Sequence, residues 1–225
     1  VSMAASPPPA LSPATAMRCG SAPARAWPEP ARLQAVLDRI AAAKRPVLIG
    51  GHGVWWSGGE ALLEEAGRSL GIPIFNIPYH QKLLGEECEA YMGLADAHQY
   101  HPSADAFNDS DLILMIGARL DNQMNFGNAP LFPATTTLCC INGSHEEIDF
   151  NRAADVTLLS DPGAFLQALI DAGKSGSIAP DRSWYDLNRQ RRDAWVTKMI
   201  ADVEAEAATP EFGGRIHPMQ LALDV

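Results

Sequence analysis

The sequence predicts an α/β fold in which a parallel sheet carries helices on both faces. Three observations predict it. Short runs of Val, Ile and Leu recur along the chain, too apolar throughout to have one wet face. Nearly every run is followed by a segment with helical spacing of its apolar residues. Gly, Pro and Asp punctuate the borders between the two kinds of segment. Together they describe a Rossmann-like, doubly wound domain over about residues 31–173.

The elements follow in order. From Ala31, the residues Leu33, Val36, Leu37 and Ile40 stand at helical spacing, with Pro46 as a stop. A strand is predicted over Val47–Ile49, a helix over Gly58–Leu70 and a strand over Pro73–Ile77. Next come a short helix after Pro102 and strands over Leu112–Ile116 and Thr137–Ile141. A short helix from His145, a strand over Val156–Leu159 and a helix over Pro162–Ala172 complete the domain. Ser57 with Glu60, and Ser144 with Glu147, have capping-box spacing, and Asp161-Pro162 reads as an N-cap followed by the first helical residue.

On either side the composition changes. Residues 1–30 are rich in Ala, Ser and Pro and read as a linker. A transit segment is the alternative, which proline at this density opposes. Residues 174–225 read as a linker helix and the start of a following domain. A flexible "GKSGSIAPD" leads into a long polar helix from Arg182, with Trp184, Leu187, Trp195 and Ile200 as its contact residues. The terminal "RIHPMQLALDV" opens a new amphipathic segment. The cluster Arg189, Arg191 and Arg192 is expected to form a solvated helix face.

The 225 residues carry 27 acidic and 17 basic side chains, a net charge of -10 that opposes nucleic acid and anionic membrane as partners. No apolar run approaches the ~20 residues of a membrane span. Cys19, Cys88, Cys139 and Cys140 have no C-x-x-C spacing, so a reducing cytoplasm is expected. Cys139 and Cys140 adjoin on a strand and should face opposite sides as core residues.

Gly50-Gly51-His52-Gly53 follows the first strand and has the composition of a turn that brings backbone N–H groups to a pyrophosphate. A tight turn with no ligand fits the same residues. An NAD fingerprint is broken, because Trp56 stands where a third glycine belongs and no acid follows Asn76-Ile77-Pro78. Arg119, just past the strand "DLILMIGA", should stand at the carboxyl edge of the sheet. There it suits a phosphate, or equally an ion pair with Asp121 or Asp161. Trp55-Trp56 suit stacking on a planar ligand or packing against a neighbouring domain. Asp96, His98 and His101 form D-x-H-x-x-H on a loop, a weak metal pattern without a fourth ligand.

The stretches "AKRPVLIGGHGVWWSGGEALLEEAGRSLGIPIF", "DSDLILMIGARLDNQ" and "VTLLSDPGAFLQAL", in this order, resemble the central domain of thiamine-diphosphate-dependent enzymes of the acetolactate synthase type. The resemblance spans about Ala31 to Ala172. It implies flanking pyrimidine-binding and pyrophosphate-binding domains and a homo-oligomer. It also implies thiamine diphosphate and Mg2+ bound outside this chain, and decarboxylation or ligation of 2-keto acids. In such enzymes a glutamate of the first domain activates the cofactor and a Gly-Asp-Gly motif of the third holds the metal, so this chain alone is not expected to be catalytic.

For the central domain itself the resemblance implies FAD, ADP or no ligand. Gly117, Arg119 and Asp121 match the flavin-binding pattern, whereas Leu120, Asn122, Gln123, Asn142 and Ser144 depart from it. The candidate cofactor-binding residues are Gly50, Gly51, Gly53, Arg119, Asn142 and Asp161, and no catalytic residue or metal ligand is assigned. A nucleotide-binding regulatory module without catalysis is the alternative function.

Overall fold

The structure, a computed structural model, describes residues 24–78, 83–176, 178 and 182–207. Most of the expected N-terminal linker, part of the joint before Arg182 and the terminal "RIHPMQLALDV" lie outside the described residues. Six parallel strands form one sheet: β1 (Pro46–Gly50), β2 (Ile74–Asn76), β3 (Tyr91–Leu94), β4 (Leu112–Ile116), β5 (Thr137–Asn142) and β6 (Val156–Leu159). Their order is β3-β2-β1-β4-β5-β6. The chain therefore reverses its direction of winding between β1 and β4, the switch point where such sheets hold ligands. The helices are α1 (Pro30–Ala42), α2 (His52–Trp56), α3 (Glu60–Leu70), α4 (His101–Asp109), α5 (Pro162–Lys174) and α6 (Arg182–Ala207).

The central strands are apolar at every position because both faces are covered. Val47, Leu48 and Ile49 of β1 and Ile113, Leu114 and Ile116 of β4 have no exposed surface. On β2, the Ile74 side chain lies under Gly67 of α3, while the Phe75 ring meets Phe107 of α4 with centroids 5.2 Å apart. Consecutive strand residues point to opposite faces, so α3 and α4 cover opposite sides of the sheet. α1 and α5 join α3, and α6 joins α4. Cys139 and Cys140 are both buried on β5, and burial pushes their thiols up to about 12 and about 11, far from the thiolate that reactivity requires.

Local chemistry departs from expectation at three places. The helix expected over Gly58–Leu70 is preceded by the separate turn α2, and the two are divided at Gly58, whose φ is +61°. Ser57 therefore ends α2, its Oγ donating to Val54 O at 2.8 Å, and no capping box forms with Glu60. Ser144 makes no side-chain cap either: a single 3-10 turn, His145–Glu147, follows it. Asp161 does cap its helix, accepting from Ala164 N at 2.9 Å with Pro162 next in line. β3 was not expected; its four residues include Gly93 at φ +112° and only Met92 is buried, so neither alternation nor an apolar run marks it.

α6 is bound to the domain. Trp184, Tyr185 and Asn188 are buried, and Trp184 Nε1 donates to Pro46 O at 2.9 Å. Trp195 packs edge-on against Tyr100 at 4.7 Å, as a contact residue should, but Leu187 is 40% exposed. The arginine cluster is not a solvated face. Arg191 pairs with Asp109 of α4 and lies over the Trp184 ring, and Arg192 Nη1 donates to Tyr91 O of β3 at 2.7 Å. Arg189 alone of the three stays on α6, 3.7 Å from Asp186. One turn of helix presents Arg191 and Arg192 to carbonyl and carboxylate groups that only tertiary structure brings there. Among the described residues no helix is long and apolar enough to cross a membrane.

Candidate functional site

The turns after β1 and β4 meet at the switch point, and the glycines are explained first by that meeting. Gly51 N donates to Ile116 O at 3.0 Å and Gly53 N to Gly117 O at 2.9 Å. A Cβ on Gly51 would lie 2.4 Å from Gly117 O, and one on Gly53 would lie 2.7 Å from Gly117 Cα. Gly117 itself has φ +58°. Gly50 ends β1, with its carbonyl accepting from Ile77 N at 3.0 Å. The N–H groups expected to face a pyrophosphate are thus, at Gly51 and Gly53, taken by the edge of β4. α2 is also too short, at five residues, to add much dipole.

Above this junction a crevice of about 1280 Å³ opens along the carboxyl ends of β1, β4 and β5. That is larger than the ~300–1,000 Å³ usual for small-ligand pockets. Gly53, Arg119 and Asn142 line it; Gly50, Gly51 and Asp161 do not. Trp55 and Trp56 form one wall, their rings edge-to-face with centroids 4.6 Å apart, and Trp56 is 77% exposed. Asn142 is buried and its Oδ1 accepts from Ser144 N at 3.2 Å, so the group it offers a ligand is its Nδ2 donor.

Arg119 stands at the carboxyl edge, as its place after β4 requires. Its partner is Glu147, Nη1 to Oε1 at 3.4 Å, and its guanidinium lies 5.2 Å from the centre of the Phe150 ring. Neither expected partner reaches it. Asp121 Oδ1 accepts from Gln123 N at 3.1 Å and caps the following 3-10 turn, while Asp161 meets Arg25 at 3.5 Å. Arg25 also donates to Ser57 O at 2.8 Å, tying the incoming chain to the end of α2. Glu147, Phe150 and Arg25 were missed by sequence reasoning. Glu147 carried a signal that pointed elsewhere, to a cap, and Arg25 lay inside a composition typical of linkers.

The loops walling the crevice are held in unusual backbone conformations. Asn125, Phe126, Asp149 and Asn151 all have φ between +49° and +67°. Asn151 Nδ2 donates to Leu120 O at 2.7 Å, and Arg152 donates to Gly127 O and Thr136 O, both at 3.1 Å. Such strain persists only where surrounding bonds impose it. The Asp96 pattern is a turn: its Oδ1 accepts from His98 N at 3.0 Å and Gln99 N at 3.2 Å, while His98 Nε2 lies 2.9 Å from Asn122 O. Among the described residues no group of three or more His, Cys, Asp or Glu is placed to hold a metal ion.

With this geometry, a family comparison decides the assignment. The model of the thiamine pyrophosphate enzyme central domain matches residues 33–169. The chain belongs to this family. It is similar to a chain described as a probable acetolactate synthase large subunit of Methanococcus aeolicus, 26% identical over 141 residues, covering 63% of this chain and 23% of that one. It is also similar to 2-hydroxyacyl-CoA lyase 1 of Dictyostelium discoideum, 28% identical over 127 residues, covering 56% of this chain and 20% of the other. Among solved structures, one described as a thiamin diphosphate-dependent enzyme from Mycobacterium smegmatis superposes with a TM-score of 0.60 at 26% identity, covering 77% of this chain and 32% of that one. The chain therefore spans under a third of the length of each of these proteins.

A Mg2+-diphosphate group needs a set of oxygen ligands around the ion. The sequence has no Gly-Asp-Gly, and among the described residues no three Asp, Glu, His or Cys side chains are grouped to hold an ion. The described residues do not fit that group.

Proposed function

We propose that this central domain serves a thiamine-diphosphate-dependent enzyme that decarboxylates or ligates 2-keto acids, and that its switch-point crevice takes a nucleotide, FAD or ADP. Catalysis belongs to pyrimidine-binding and pyrophosphate-binding domains acting with this one, in a homo-oligomer of the cytoplasm. The family and the small share of its relatives' length that the chain spans support the first part. The observation that carries the second is Arg119, a half-exposed guanidinium on the wall of a crevice that two tryptophans also line. Of the six candidate residues, Arg119, Asn142 and Gly53 are proposed to touch the nucleotide, whereas Gly50, Gly51 and Asp161 shape the ground it stands on.

Calorimetry with ADP and FAD tests the crevice. Arg119→Ala is expected to weaken binding by about 1.5–3 kcal/mol, the scale of a hydrogen bond to a charged group. His98→Ala should bind as the parent does, because its ring faces Asn122 O. Equal binding by parent and Arg119→Ala, with loss in His98→Ala, would put the ligand elsewhere. The purified chain supplied with thiamine diphosphate and Mg2+ is expected to show no turnover of pyruvate or benzoylformate, since groups that stabilise a transition state must be in place around it. Cofactor-dependent carbon dioxide release by the pure chain would overturn the division of labour.

A further inference from the structure

Arg119 is not waiting open for a ligand. Its ionic partner is Glu147, and both side chains line the crevice. At 3.4 Å, with side chains 52% and 37% exposed, the pair is loose and half-solvated, so a phosphate can displace it at small cost. The displaced carboxylate does not leave. It stays on the 3-10 turn after β5, whose Glu147 N is fastened to Ser144 O at 3.3 Å. Asp121 adds a second carboxylate to the wall, while Arg119 is the one Lys or Arg among the described residues that line it. The glycine-turn donors that would soften this balance are engaged with β4.

From this we infer that Glu147 is a specificity-determining residue: a phosphate taken by Arg119 must share or displace it, and its retained charge makes the crevice discriminate by how much negative charge the ligand carries. The inference rests on the nucleotide reading above and sharpens it. A diphosphate esterified at both ends, as in a dinucleotide, is accepted over one that ends in a free phosphate, because a terminal phosphate carries a further charge near neutral pH. An uncharged nucleoside, held by stacking and by Asn142, does not feel Glu147.

The test is calorimetry at low salt with three probes, adenosine, ADP-ribose and ADP, on the parent and on Glu147→Gln. The substitution keeps shape and removes charge at a partly exposed position, and a thermal melt checks that the variant folds as the parent does. The variant is expected to bind ADP about five- to tenfold more tightly, ADP-ribose by a smaller factor and adenosine unchanged, with the gains shrinking as salt is raised. If the probes bind but Glu147→Gln changes none of the affinities, or changes all three equally, the inference fails while the nucleotide reading stands. If no probe binds to either protein, the nucleotide reading itself fails and the inference falls with it.

Discussion

Gly117→Ala is expected to destabilise the domain by about 2–5 kcal/mol, combining the ~1–2 kcal/mol of a left-handed non-glycine residue with the ~1–3 kcal/mol of overpacking. The added methyl would lie 2.6 Å from Gly53 Cα and 2.7 Å from Val54 N, both backbone atoms that no rotamer change can move aside. The bonds from Gly51 N to Ile116 O and from Gly53 N to Gly117 O would open with the same displacement. Gly58→Ala separates the two causes. Gly58 has nearly the same φ, +61°, but nothing within 4 Å of its added Cβ, so only the conformational part of the cost applies there. Urea unfolding of the two variants reads the difference directly. Equal midpoints would mean that the turns after β1 and β4 are not in tight contact.

Trp184→Ala is expected to cost about 3–5 kcal/mol, the range for emptying a buried aromatic site. The indole is 4% exposed, donates to Pro46 O and carries the Arg191 guanidinium 5.7 Å from its ring centre. Its loss would weaken the contacts of α6 with α4 and β3 together. Leu187→Ala, one turn away and exposed, should change stability by less than ~0.5 kcal/mol. A Trp184 variant as stable as the parent would show that α6 is tethered to the domain without contributing to it.

What could be read from the sequence was the part governed by burial and local bonding. β4 and β6 have the predicted limits: Leu112–Ile116 is buried at every position in a sheet covered on both faces, and Val156–Leu159, whose burial alternates, is bounded by turn residues. The Asp161-Pro162 cap formed because both of its partners are near in sequence. Capping boxes at Ser57 and Ser144 share that spacing and failed, since the chain at Gly58 and beyond Ser144 takes conformations that no short pattern encodes. At the crevice, Arg119 was legible as the residue after a buried strand. Its partner Glu147 was not, because 28 residues and another strand separate them. The glycine turn was recognised as glycine-dependent, but its reason lies in a second turn more than sixty residues away, and only the folded chain shows that the close neighbour is β4 backbone.

The attachment of α6 has a consequence for how this sheet ends. β3 is an outer strand, and a row of unpaired acceptors on such a strand invites another chain to extend the sheet. Here Tyr91 O receives the Arg192 guanidinium and Met92 O receives the Tyr100 hydroxyl at 2.6 Å. One carbonyl of this four-residue strand, Tyr91 O, is therefore occupied by a side chain delivered by α6, while the Met92 O bond is buried. The helix that reads in sequence as a polar connector thus also occupies part of this margin: an incoming strand would have to displace the Arg192 guanidinium from Tyr91 O before it could pair there.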